Sequence, residues 1–190
     1  MNLDNLFQNF CEKNNLEINS YQLTVIDELK SYYKLNFNKS ILNKFFSKNN
    51  SRLAFYLYGG VGVGKTMILN FFFDLVEEKK LRQHFNEFML SFHDFAHVRK
   101  ENNEENIINQ FVKDLKSKTK LLYFDEFQVT NIVDAMILGK LFEQIFKENI
   151  KIILTSNTKI SELYKDGLQR DQFKPFIKIM EEQCTELNSK

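Results

Sequence analysis

The chain has 190 residues, 43% of them hydrophobic, with 26 basic residues against 25 acidic ones and a formal net charge of +1. That length suits one α/β domain with a small appendage, and the near balance of charge gives no electrostatic footprint for nucleic acid beyond local patches. No apolar run approaches membrane-spanning length, and the isolated Cys11 and Cys184 argue for a reducing compartment without a disulfide framework. The first residues, M-N-L-D-N-L-F, lack a basic segment and a small-residue cleavage site, so they read as mature protein. The basic residues are nearly all lysine. Only Arg52, Arg82, Arg99 and Arg170 break that bias, which makes each arginine more informative.

Residues 1–50 carry helical spacing and no strand signal. Leu3, Leu6, Phe7 and Phe10 define a first helix; Ser20 is placed to cap a second, with Leu23, Ile26, Leu29 and Tyr33 on one face. Ile41, Leu42, Phe45 and Phe46 suggest a short third helix. The expectation is a helical N-terminal extension, 1–50, packed on a core domain, 51–190.

Leu53–Tyr58 reads as a buried strand, and the segment after it carries chemistry. Gly59-Gly60-Val61-Gly62-Val63-Gly64-Lys65-Thr66 fits G-x-x-x-x-G-K-[ST] at every fixed position, and a helical pattern opens at Lys65, with Met67 in its first turn. A polyphosphate is held by inward-pointing backbone N–H groups, which needs residues without a Cβ that reach positive φ. The helix N-terminus adds partial positive charge, Lys65 would reach the β- and γ-phosphates, and the Thr66 hydroxyl would ligate Mg²⁺. Asn19 to Gln22 either approach the base of such a nucleotide or simply cap the second helix. Beyond the loop, Phe71-Phe72-Phe73 sweeps about 200° of helix surface, so that helix is expected to be buried on more than one side.

Leu81–Phe85 reads as a second strand. Phe88, Phe92 and Phe95 mark one helix, and Ile107, Ile108, Phe111, Val112 and Leu115 another. His93 and His97 sit four apart in H-D-F-A-H, but with no third ligand in view they read as ordinary helix-surface histidines. Leu121-Leu122-Tyr123-Phe124-Asp125-Glu126 is the second decisive segment: a core strand with two acids at its carboxyl end, where open α/β sheets bind ligands. Asp125 suits the Mg²⁺ shell, and Glu126 suits a general base for an attacking water.

A helix from about Ile132 to Lys147 follows, with Val133, Met136, Ile137, Leu141, Ile145 and Phe146 expected inward. Lys151–Thr155 is another buried strand, and Asn157 beyond it either bonds the water or γ-phosphate or caps the next helix. A short helix near Ser161–Tyr164, a helix with Phe176, Ile177 and Met180, and a fifth strand at Cys184–Leu187 complete the pattern.

Y-L-Y-G-G-V-G-V-G-K-T-M, H-F-N-E-F-M at 84–89, F-D-E-F at 124–127, D-A-M-I-L-G-K-L-F at 134–142, T-S-N at 155–157 and E-L-Y-K-D-G-L-Q-R at 162–170 together resemble the ZapE/AFG-type ATPases of the AAA+ superfamily. Asn86 stands where that family usually has His, and 157–160 lacks its usual prolines. The resemblance implies an α/β P-loop NTPase fold with a five-stranded parallel sheet flanked by helices. It makes Lys65 and Thr66 the Walker A pair, Asp125 and Glu126 the Walker B pair, Asn157 the sensor and Arg170 an arginine finger reaching a neighbouring subunit. A finger must offer a planar, multi-donor cation, which suits an arginine kept in a lysine-rich chain; a surface salt bridge is the other reading of Arg170.

The resemblance further implies ATP and Mg²⁺ as ligands, a homo-oligomer, and a protein client. In bacterial members that client belongs to the cell-division ring at the inner membrane, so a cytoplasmic, peripherally membrane-associated protein is expected. Family members run on past the last predicted strand, so their C-terminal lid region is expected to lie outside this chain. The alternatives are a nucleotide-binding module with little turnover and a helicase-loader-like AAA+ protein. A GTPase should show N-K-x-D where this chain has N-T-K-I, and a kinase should show a basic lid.

Overall fold

The strands are β1 (Ala54–Tyr58), β2 (Lys80–His84), β3 (Leu121–Asp125), β4 (Lys151–Ser156) and β5 (Cys184–Asn188). Short, nearly continuous apolar runs bury both faces of the central strands β1, β3 and β4, while the flanking β2 and β5 are only partly covered. The computed structural model describes residues 2–37, 52–101 and 106–189, so the expected helix at Ile41–Phe46 lies outside the described residues. All strand pairs are parallel, in the order β2-β3-β4-β1-β5.

Helices cover both faces. Phe55, Leu57, Leu121, Tyr123 and Ile153 point to one core. It is closed by α1 (Leu3–Lys13), α2 (Ser20–Asn36) and α3 (Lys65–Leu75). Ala54, Tyr56, Leu122, Phe124, Ile152 and Leu154 point to the other. That core is closed by α4 (Phe85–Glu101), α5 (Ile107–Lys118), α6 (Ile132–Lys147) and α7 (Arg170–Gln183). Cys11 lies in the first of these cores and Cys184 in the second, on opposite sides of the sheet.

The phenylalanine triple behaves as its sweep implies. Phe71 and Phe72 are buried, and α3 lies between the sheet and the N-terminal helices. The rings of Phe7 and Phe10 each stand 5.2 Å from that of Phe71. The Tyr32 hydroxyl donates to Leu53 O at 2.8 Å, tying α2 to the start of β1.

Three details differ from the sequence reading. Ser20 opens α2, but the cap is Asn19: its Oδ1 accepts from Gln22 N at 2.8 Å while Gln22 Oε1 accepts from Asn19 N at 3.2 Å. On the N-terminal helices Leu6 and Leu23 face solvent, and Val25 and Tyr32 take the inward places expected for Leu23 and Tyr33. On α6, Val133 and Met136 are 51% and 50% exposed, while Ala135, Leu138 and Phe142 are buried. The rotation of α6 is set by close approach. A Cβ on Gly139 would lie 3.5 Å from Phe176 N and 3.7 Å from Pro175 Cβ, so the stripe containing Ala135 and Gly139 faces α7. A pattern read only from large apolar residues cannot see that stripe. On the other flank His93 Nε2 lies 2.6 Å from Asp134 Oδ1, joining α4 to α6.

Leu138→Ala should therefore destabilise the protein by about 2–5 kcal/mol, and Met136→Ala by no more than about 0.5 kcal/mol. Urea unfolding of the two variants measures both; equal losses would contradict this rotation of α6.

Candidate functional site

The loop between β1 and α3 is shaped by its glycines. Gly64 caps α3 in the left-handed region at φ 87°, where any L side chain is strained. Gly59, at φ 147°, leaves no room either: an added Cβ would fall 2.0 Å from Ser189 Oγ. Ser189 follows β5 and donates its N–H to Tyr58 O at 2.6 Å, so the end of the last strand presses on the start of the loop.

Lys65, 8% exposed, points back across the loop. Its ammonium donates to Gly59 O at 2.8 Å, Gly60 O at 2.7 Å and Asn157 Oδ1 at 3.1 Å, which uses all three donors. Burial lowers its pKa, opposed by the charges of Asp125 and Glu126. The loop, from Val61 to Met67, forms one wall of a cavity of about 300 Å³. Glu126, Thr155, Ser156 and Asn157, at the carboxyl ends of β3 and β4, form the other.

Asp125 ends β3 and is buried. Its Oδ1 accepts from Thr66 Oγ1 at 3.0 Å and from Thr155 Oγ1 at 2.7 Å; its Oδ2 accepts from Arg82 Nη2 at 2.7 Å. Burial disfavours the anion, but hydrogen bonds from Thr155, Arg82 and Thr66, with the Arg82 charge, hold the carboxyl below its usual pKa. The backbone then turns sharply. Glu126 takes φ 54°, its N–H donating to Thr155 Oγ1 at 2.9 Å, and Phe127 N donates to Thr155 O at 2.7 Å. Thr155 thereby directs Asp125 toward Thr66 and leaves Glu126 to line the cavity.

The fold thus gathers Gly59 to Met67, Asp125, Glu126 and Asn157 at one place. Arg170 is not among them. It opens α7, does not line the cavity, and donates from Nη2 to Ser161 O at 2.8 Å. Arg82 and Thr155 were not singled out from sequence. Arg82 could have been, as one of four arginines in a lysine-rich chain and on a strand beside the acid-bearing one. Thr155 entered only as part of the T-S-N block at 155–157, with no role of its own.

The donor set fits the ligands the motif implies. The Thr66 hydroxyl and the ionised Asp125 carboxylate are hard oxygen ligands side by side, as Mg²⁺ requires. The glycine loop and desolvated Lys65 suit a polyphosphate.

A parallel sheet in the order β2-β3-β4-β1-β5, with a glycine loop after β1 and acids closing β3, defines a P-loop nucleotide-binding protein of the AAA+ type. Comparison narrows the class. The AFG1-like ATPase family model matches residues 8–190, and the chain belongs to that family. It is 42% identical over 148 residues to lactation elevated protein 1 homolog B of Danio rerio, covering 73% of this chain and 29% of that protein. It is 38% identical over 145 residues to cell division protein ZapE of Escherichia coli strain K12, covering 75% of this chain and 38% of that protein. The chain thus spans well under half the length of these relatives. Among solved structures, the DnaC helicase loader shares the fold with TM-score 0.59 at 15% identity, covering 91% of this chain and 92% of that one. AMPPCP-bound DnaA from Aquifex aeolicus shares it with TM-score 0.53 at 20% identity, covering 92% of this chain and 49% of that one.

Because the Asp125 pKa is lower folded than unfolded, its stabilising contribution is complete above about pH 4 and is lost as pH falls through the folded value. The stability difference between wild type and Asp125→Asn, measured by urea unfolding, should therefore shrink on acidification from about pH 6 to about pH 3. A difference that does not change with pH would contradict the hydrogen-bonded anion.

Proposed function

We propose that this chain binds ATP with Mg²⁺ in the cavity beside Lys65 and hydrolyses it within a homo-oligomer that acts on a protein client. The observation that carries the reading is the joining of Thr66 and Asp125 by a hydrogen bond, with Glu126 turned into the same cavity that Lys65 and its loop enclose.

Loop amides and Lys65 hold the phosphates. Phosphate oxygens replace the Gly59 and Gly60 carbonyls around the ammonium and favour its charged form, which burial alone disfavours. Thr66 and Asp125 would hold the metal, which would neutralise phosphate charge. Arg82 and Thr155 keep Asp125 ionised and turned toward Thr66. Glu126 takes a proton from a water as its oxygen attacks the terminal phosphorus; the bond to the bridging oxygen breaks and ADP leaves with the electron pair. Asn157, bonded to Lys65, orients that water or the terminal phosphate.

Arg170 of a neighbouring subunit supplies the remaining positive charge. Its hydrogen bond to an exposed carbonyl, Ser161 O, is readily exchanged for a phosphate oxygen. The relative named cell division protein ZapE supports a client with a role in cell division.

The test is ATP hydrolysis with Mg²⁺ over a range of protein concentrations. Turnover per chain should rise with concentration. Lys65→Ala should abolish nucleotide binding, and Glu126→Gln should keep binding while lowering turnover at least ~100-fold. Arg170→Ala should keep binding and lower turnover by about 1,000-fold or more. Binding without turnover at any concentration would make the chain a binding module, and full activity in Arg170→Ala would refute the finger.

A further inference from the structure

The first turn of α2 is locked against the glycine loop. Val25, Ile26 and Leu29 are fully buried in the core shared with α3, so the helix cannot swing away. The reciprocal bonds between Asn19 and Gln22 fix the turn that leads into it. Gln22 is 7% exposed, which is uncommon for glutamine and unneeded for a cap.

The group that covers it is the nucleotide loop. A Cβ built on Gly64 would stand 3.3 Å from Gln22 Nε2 and 3.6 Å from Met67 Cε, so these two side chains flank the same glycine. Gln22 Oε1 is fixed by the Asn19 N–H, which leaves Nε2 directed at the loop. Among the described residues, no hydrogen bond is accepted from that Nε2. Met67 belongs to the cavity wall, and Gln22 stands against Gly64 of that wall without itself lining the cavity.

A carboxamide is suited to one purine in particular. Nε2 donates to adenine N7, and the second lone pair of Oε1 accepts from the N6 amino group. Guanine and hypoxanthine present O6 there, an acceptor facing an acceptor. The Met67 thioether offers a polarisable surface to the face of a ring. The capping box alone would be served as well by glutamate, which would not accept burial beside the loop.

Resting on the reading that the cavity takes a nucleoside triphosphate, we infer that Gln22 selects adenine as the base, with Met67 beside it under the ring. The choice of nucleotide then lies in the N-terminal helices and not in the phosphate-loop motif.

The test compares the dissociation constants of ATP, inosine triphosphate and inorganic tripolyphosphate for the wild-type chain, Gln22→Glu and Gln22→Met. Wild type should prefer ATP over inosine triphosphate by roughly 10-fold or more. Gln22→Glu keeps the cap acceptor and loses the donor; Gln22→Met loses both without adding charge. Both should bring that ratio close to one. The ratio is unaffected by added charge, because the two nucleotides carry the same phosphates. A wild-type ratio near one, or a ratio kept in both variants, overturns the assignment while binding of tripolyphosphate leaves the phosphate site standing. Failure of wild type to bind any of the three overturns the nucleotide reading and this inference with it.

Discussion

One buried carboxylate joins most of the elements that make the site. Asp125 ends β3 and accepts hydrogen bonds from Thr66 on α3, Arg82 on β2 and Thr155 on β4. An anion taken out of water is strongly destabilising unless such donors surround it. Each donor therefore has to be delivered to within hydrogen-bond distance, and the register of three neighbouring strands and the start of α3 are held to that requirement. Glu126 follows as a consequence: the Thr155 hydroxyl that donates to Asp125 accepts from the Glu126 N–H, so ordering one acid turns the other into the cavity.

The motif-bearing half of the site was legible because its residue types are forced. A strand, a run of glycines and Lys-Thr at a helix start have few other uses together, and the two acids stand at the carboxyl end of another core strand. The partners were less legible, for a physical reason. Arg82 meets Asp125 only through the lateral pairing of β2 with β3, where His84, not Arg82, is the residue in register with Asp125. Lateral pairing is not written in local sequence. The same holds for α6, where Val133 and Met136 look as apolar as Leu138 and Phe142 yet face solvent. Packing against Pro175 and Phe176 decided the rotation, and the residue that allowed it was a glycine.

The N-terminal helices show how much of the sheet depends on residues before the motif. One whole face is closed by α1, α2 and α3, and the Tyr32 hydroxyl reaches the carbonyls of both Leu53 and Ile152. A helix that ties β1 to β4 in this way belongs to the core as fully as the strands do. The first turn of that helix also brings a side chain to the loop.

The contact of Ser189 with Gly59 bears on the order in which the molecule is assembled. β1 pairs with β4 and β5 only, so the strand that leads into the glycine loop has no lateral partner until the C-terminal part of the chain is available. Pairings between such distant segments require closing long loops and are slow to form. The glycine loop is translated early, yet it receives the last of its supports, at Tyr58 and Gly59, only when β5 docks. Competence to hold a nucleotide thus arises near the end of folding, and a chain that can hold one has already closed its sheet.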